Sequence, residues 1–382
     1  MRGSVRKPRT PGGSWGYRID LGEDEVGKRV QKQVAGFPTK KAAQAALSDA
    51  LSAFQRGSYI APSRQTLREF LEVWLEGVRS EVAITAWTSY RDAVNRYVLP
   101  YLGSRRLIEI TPLELKAWHS KLLASGRVDG GPLSPRTVQI AHRVLHRALA
   151  DAKRWNVIHT NPAGDVRSPK VVRKEMQVWT STDAAKFLAA TAEDRLFALW
   201  VVALHTGMRR GELAGLRWKD VKLDSATLTV NQQRTVAHYQ VIVAEPKAKS
   251  QRQLHLAPAT VAALQVHRQR QRLERLAVGP GWENTGYVFV DELGRPYHPQ
   301  RLRLMFEKAC NAAGVPAIRL HDLRHTMASL ALEAGVHPKV VQEQLGHSGI
   351  DITLDIYSHV PQAVKRSAAE QIAGLFQLSV DG

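Results

Sequence analysis

Residues 321–330 read HDLRHTMASL, two histidines and an arginine within five positions. His321 and His325 stand at i, i+4, a spacing that sets two imidazoles on one face of a helix and that zinc sites use. Such a site needs a third ligand and, for hydrolysis, a glutamate base; the motif here is HDLRH, not HExxH. Cys310 is the only cysteine, and Arg324 would place a permanent cation beside a dication. No metal and no other cofactor is expected. The same residues can instead grip phosphate. His321 and Arg324, three apart, project from neighbouring points of one helical face, while Leu320, Leu323, Met327, Leu330 and Ala331 can bury the other. A guanidinium offers phosphate a planar fork, and an imidazole exchanges a proton near neutral pH. Alone, HxxR more often marks an ordinary surface helix.

Three other segments keep it company. TGMRRGEL (206–213) is a glycine turn running into a helix, where Glu212, one turn after Arg209, can orient its guanidinium. EPKAKS (245–250) reads as the polar tip of a hairpin, and LGHSGIDITLDIYSHV (345–360) carries His347, Thr353 and Tyr357. TGMRRGEL, HDLRHT and LGHSGIDITLDIYSHV resemble the three boxes of the tyrosine recombinase family, the phage integrases and Xer-type recombinases. Their order and spacings suit that family.

The resemblance implies a metal- and ATP-independent DNA strand transferase. Tyr357 would attack a scissile phosphate to form a 3′-phosphotyrosyl bond, which conserves the phosphodiester energy for rejoining through a Holliday junction. Arg209 and Arg324 would clamp the nonbridging oxygens. Lys247 would protonate the leaving 5′-oxygen, with Lys249 as the alternative. His321 would assist deprotonation of Tyr357, since a phenol of pKa near 10 yields little phenolate at pH 7. His347 would support phosphate or tyrosine, and Glu212 would position Arg209. Taken singly, Tyr357 beside Ile352, Leu354 and Ile356 would be a packing tyrosine. His325, His337 and His359 read as structural or surface histidines, and Arg210 as pointing elsewhere.

The elements that must position these residues fall into three units, giving an α+β, mainly α, multidomain chain. Residues 1–60 form a small β-sheet-plus-helix module: strands at Ser14–Asp20 and Lys28–Val34, then a helix capped by Thr39 with Ala43, Ala46, Leu47, Ala50, Leu51 and Phe54 inward. By resemblance this is an arm-type DNA-binding module. Residues 64–165 read as entirely helical and resemble the family's core-binding domain. Its starts are at Thr66, Thr85, the Thr111-Pro112-Leu113-Glu114 capping box and Ser134-Pro135. The last of these helices turns Arg136, His142, Arg143, His146, Arg147, Lys153 and Arg154 away from its apolar face. A basic linker, Ser168–Glu175, leads to a mixed α/β catalytic domain (176–382). There, helices at Thr180–Thr191 and Arg195–Thr206 precede strands at Ala226–Gln232, Tyr239–Ala244 and Arg252–Leu256. An amphipathic tail, Ala363–Leu378, is expected to dock on a neighbouring subunit.

The 382 residues carry 54 Lys plus Arg against 35 Asp plus Glu, a net charge of +19. That excess favours a polyanionic partner, because neutralising phosphates releases condensed counterions. No apolar run is long enough to span a membrane, and the basic start lacks an apolar signal core. The expectation is a cytoplasmic, nucleoid-associated bacterial protein. Its partners would be double-stranded attachment sites and three further copies in a homotetramer, with room for an excisionase and a DNA-bending accessory protein. The helical unit and the catalytic unit would clamp DNA from opposite faces. The added N-terminal module favours an integrase of a phage or integrative element over a Xer-type resolvase. The intact set of matched residues argues against a non-catalytic DNA-binding relative.

Overall fold

Period-two burial organises the amino-terminal module. In β2 (Trp15–Glu23), Tyr17 and Ile19 turn to the same face and are buried against Leu47 and Ala50 of α1 (Lys40–Gln55). Strand β2 pairs antiparallel with β1 (Gly3–Arg6) on one side and β3 (Arg29–Phe37) on the other. Sequence reading missed β1, because four residues in a basic, Gly- and Pro-rich leader carry no periodic signal. Thr39 caps α1, its Oγ1 accepting from the Ala42 amide at 3.1 Å. The computed structural model describes residues 3–8, 10, 12–23, 29–55, 63–172, 176–237, 239–246, 250–347, 349 and 350. The chain divides into two units, 1–173 and 174–382.

The helical part of the first unit contains α2 (Leu67–Val78), α3 (Ile84–Ala93), α4 (Leu99–Leu102), α5 (Pro112–Ser125) and α6 (Pro135–Arg154). Thr66 and Thr111 each form a reciprocal capping box, with Glu69 and Glu114, a device worth about 1 kcal/mol at a helix start. Leu67, Phe70, Leu71, Trp74, Leu75 and Val78 are all buried, as their spacing predicts. Inside this core, the Trp74 indole donates to the Asp151 carboxylate at 2.8 Å. Helix α3 begins at Ile84 without a side-chain cap rather than at Thr85. It continues through a π-turn, Val94–Val98, into α4. Pro100 lacks an amide and its ring crowds the preceding turn, so a wider turn there relieves both defects.

One reading of α6 needs correction. His142 is not on a solvated basic face: it is buried, with its Nδ1 3.1 Å from Nε2 of buried His119 on α5. Arg147 is also engaged, donating to the Tyr90 hydroxyl at 2.7 Å. Arg136, Arg143, His146, Lys153 and Arg154 remain exposed.

The second unit is organised around an aromatic cluster of Trp179, Phe187, Trp200 and Phe306, ring centroids 4.9–6.1 Å apart. They come from α7 (Ser181–Ala190), α8 (Phe197–Thr206), α11 (Pro299–Ala313) and the segment before α7. Around this core lie α9 (Arg210–Gly215), α10 (Pro258–Val278), α12 (Asp322–Glu333) and α13 (Pro338–Leu345). Strands β4 (Val221–Lys222), β5 (Thr227–Val230) and β8 (Arg252–His255) make one antiparallel sheet, while β6 (Gln233–Ala237) pairs only with β7 (Gln240–Ala244) among the described residues. The strands that flank residues 245–250, β7 and β8, are not partners of each other among the described residues as the hairpin reading expected: β7 pairs with β6, and β8 takes β5, Val230 opposite Arg252. Strand β6 escaped the sequence reading: QRTVA is mostly polar, and its one charged residue, Arg234, is buried over the Tyr287 ring.

Candidate active site

The site is assembled at helix ends. Helix α8 is almost wholly apolar and buried, and it stops at Gly207, whose φ of +62° is a left-handed C-cap that favours glycine. A side chain there would also collide with Leu345 and Met327, at 2.5 and 2.7 Å. Arg209 follows as the N-cap of α9, and Glu212 falls at the third helical position, only 1% exposed. The Glu212 carboxylate accepts from the Arg209 amide at 2.8 Å and from Arg209 Nη1 at 2.8 Å. One carboxylate thus caps the helix and aims a guanidinium that is itself one-third exposed.

His321 and Arg324 take different places from those their spacing suggests. His321 is the N-cap of α12 and stays exposed, whereas Arg324 is buried to 3%. Asp322 between them is buried too, its carboxylate accepting from Arg319 Nε at 2.9 Å and Nη2 at 2.7 Å. Leu320, Leu323 and Met327 are buried as expected, and Leu330 and Ala331 are half-buried.

What holds Arg324 is the C-terminal end of α13. The last carbonyls of a helix have no partner within it and form its negative pole. Here three consecutive ones each accept from a different arginine. Arg252 Nε donates to Gln344 O at 2.6 Å, Arg324 Nη2 to Leu345 O at 2.6 Å, and Arg209 Nη2 to Gly346 O at 3.0 Å. Arg324 Nη1 further donates to Gly207 O at 2.8 Å, tying the ends of α8 and α13 together. His347 comes immediately after this turn. His337, read as a structural or surface histidine, caps the other end of α13 by accepting from the Lys339 amide at 3.2 Å.

Arg252 is the residue that sequence reasoning missed. On β8, it forks onto Glu212 through Nη1 and Nη2 at 3.2 and 2.9 Å. The only hint was chemical: a carboxylate placed to orient one arginine has capacity for another. Nothing in the order of residues points to a strand 40 positions away.

Electrostatics follow from this packing. Burial opposes ionisation of Glu212, but hydrogen bonds and charge from Arg252 and Arg209 outweigh it and hold the carboxyl below its usual range. Two guanidiniums, those of Arg209 and Arg252, pair with this one carboxylate, and among the described residues no carboxylate pairs with Arg324. Burial, then the Arg209 charge, lowers the Arg324 pKa to about 9, leaving it a cation at neutral pH. His321 keeps an exposed edge, yet packing round its ring, then His325 and Arg324, lower its pKa to about 4. His347 falls to about 4 as well, through burial and then Arg324 and Arg209. The result is a cationic cluster flanked by two neutral imidazoles, suited to an anion carrying more charge in its transition state than at rest. The His325 ring stands nearly perpendicular to that of His321, centroids 5.3 Å apart. Among the described residues, no group of three or more His, Cys, Asp or Glu side chains is placed to hold a metal ion.

Arg209, Glu212, His321, Arg324 and His347 are thus gathered round one turn. Lys247, Lys249, Thr353, Tyr357, His359 and the tail Ala363–Leu378 lie outside the described residues.

Known proteins share both the sequence pattern and the fold of this chain. Residues 177–363 match the model of the phage integrase family, residues 66–123 that of the phage integrase N-terminal SAM-like domain, and residues 4–53 that of the Arm DNA-binding domain. A tyrosine recombinase XerC-like protein of Caldanaerobacter subterraneus is 30% identical, covering 94% of this chain and 96% of its own length. An integrase of Streptomyces ambofaciens is 29% identical over 95% of this chain and 94% of its own. In fold, the chain is similar to the Tn1549 transposon integrase solved with transposon right-end DNA, with a TM-score of 0.68 and 22% identity over 81% of this chain and all of that one. A lambda integrase tetramer bound to a Holliday junction gives a TM-score of 0.59 at 17% identity, over 92% of this chain and 94% of that one. Fold and relatives define a class of enzyme, the site-specific DNA recombinases. The chain belongs to the phage integrase family of tyrosine recombinases.

Proposed function

We propose that this recombinase is the integrase of a phage or other integrative element, acting on double-stranded attachment sites as a homotetramer. Tyr357 Oη attacks the scissile phosphorus, the P–O5′ bond breaks, and a 3′-phosphotyrosyl linkage forms. The phenol proton passes toward His321, and Lys247 supplies the proton that the 5′-oxygen takes up, with Lys249 as its alternative. Arg209 and Arg324 bind the nonbridging oxygens, Glu212 aims Arg209, and His347 supports phosphate or tyrosine. Reversal by the 5′-hydroxyl of a second strand rejoins DNA through a Holliday junction.

The observation that carries this reading is the set of three arginines on successive carbonyls at the end of α13, with one ionised glutamate among them. It concentrates positive charge where a phosphate would sit, and it leaves neutral imidazoles able to accept a proton. The match of residues 4–53 to an arm DNA-binding domain favours an integrase over a resolvase without such a module. By the same reading the units are an arm-binding module (1–60), a core-binding domain (64–165) and a catalytic domain (176–382). The protein works in the bacterial cytoplasm on nucleoid DNA, with an excisionase and a DNA-bending protein as accessory partners. The Ala363–Leu378 tail docks on a neighbouring subunit.

The test is a nicked attachment-site duplex that traps covalent protein–DNA complexes. The unaltered protein is expected to become linked, and Tyr357→Phe to bind the duplex without linking. Linkage that persists in Tyr357→Phe would refute the nucleophile.

A further inference from the structure

We infer that Arg252 is a positioning residue of the strand-transfer site, holding Glu212 and the α13 terminus in the one arrangement that leaves Arg209 and Arg324 aimed at phosphate. The inference rests on the recombinase reading above and adds a residue to it.

Its geometry is that of a keystone. The Arg252 side chain is 7% exposed, and four of its five N–H donors are used. Nε reaches Gln344 O, Nη1 reaches Ser250 O and Glu212 Oε1, and Nη2 reaches Glu212 Oε2. Gly346 lies flat on it: a Cβ there would come within 3.2 Å of Arg252 Cδ and Nη1. Arg252 is therefore buried behind the carboxylate, and it acts through Glu212 and the turn carrying His347 rather than on phosphate. Two charged groups face Glu212 closely, Arg209 from its own turn and Arg252 from β8, with Arg324 of α12 also within electrostatic range. Without Arg252, burial would oppose Glu212 ionisation with Arg209 alone as its close partner. Protonated Glu212 would then lose its ionic hold on the Arg209 guanidinium. A lysine would keep the charge but not the fork that spans Glu212 and Gln344 O.

The experiment follows covalent trapping on the nicked duplex across pH for the unaltered protein, Arg252→Lys, Arg252→Met and Arg252→Met combined with Glu212→Gln, with DNA affinity measured alongside. Expected for Arg252→Met is affinity within about threefold, since other groups hold the duplex, and cleavage at least about 100-fold slower at neutral pH. Its acid limb should move up by at least about one pH unit. Arg252→Lys should remain well below the unaltered rate, with a smaller shift. Adding Glu212→Gln to Arg252→Met should cost little more, because both substitutions disable one unit. An unmoved acid limb in Arg252→Met, full activity in Arg252→Lys, or losses that simply multiply would overturn the inference while leaving the recombinase reading intact. If Arg252→Met does not fold, an acid limb unmoved in Arg252→Lys decides against it. Failure of the unaltered protein to link would overturn the recombinase reading, and this inference with it.

Discussion

A buried arginine has two duties, and in Arg324 they are separable. Two of its donors pair with the carbonyls of Gly207 and Leu345, so removing the side chain strands buried acceptors at a cost of roughly 1–3 kcal/mol each. Arg324→Ala would therefore confound folding with catalysis. Arg324→Lys keeps a cation but loses the planar fork. It should lower covalent trapping by about 100-fold or more, as removal of one oxyanion donor does elsewhere. DNA affinity should change by less than about threefold, because other groups hold the duplex. A parallel loss of binding, seen in the same trapping and gel-shift measurements, would show that Arg324 mainly recruits DNA. The neutral His321 and His347 belong to the same argument. Burial first, and then the positive charge that attracts phosphate, keeps protons off the imidazoles, and a bound phosphate would relax the second of these.

At the scale of elements, helix ends do much of the positioning. The C-termini of α8 and α13 meet at Arg324, and the first turn of α9 holds Glu212. Between α5 and α6, the buried His119–His142 pair makes a different contribution. Burial, then His142, lowers the His119 pKa to about 4, and burial lowers that of His142 as well. Both folded-state values lie below the unfolded value near 6.5. On acidification the unfolded chain therefore binds these protons first, and stability falls from about pH 6.5 down to about pH 4. His119→Leu removes one such proton-binding group. Its denaturant midpoint should depend less on pH between about 6.5 and about 4, by up to about one proton in the linkage slope. An unchanged slope would mean that the pair does not set acid stability.

Across the whole molecule the dominant fact is the charge of +19. DNA affinity should fall by about a thousandfold or more between about 50 and about 200 mM salt, the behaviour of a protein making six or more phosphate contacts. On α6, Arg143 is exposed, whereas Arg147 is committed to Tyr90. Arg143→Ala should therefore reduce the salt slope by close to one, and Arg147→Ala should reduce it less while lowering stability. Equal effects on slope, measured by salt titration, would remove the distinction drawn between the two arginines.

Local chemistry was legible in the order of residues wherever neighbours in sequence are neighbours in space. The capping boxes at Thr66 and Thr111 and the inward face of α2 follow from offsets of three and four residues. The Arg209–Glu212 pair does too. The recombinase boxes were readable for another reason, since the chemistry of phosphate transfer restricts which residue types can serve. Tertiary structure alone decided the rest. It buried Arg324 while leaving His321 exposed three positions away, and it took His142 off the basic face of α6. It paired β8 with β5 instead of β7, and so delivered Arg252 to Glu212. Partners so far apart in the chain are chosen by burial, which leaves a carboxylate or a helix terminus unpaid until some distant donor reaches it. No local pattern records which donor that will be.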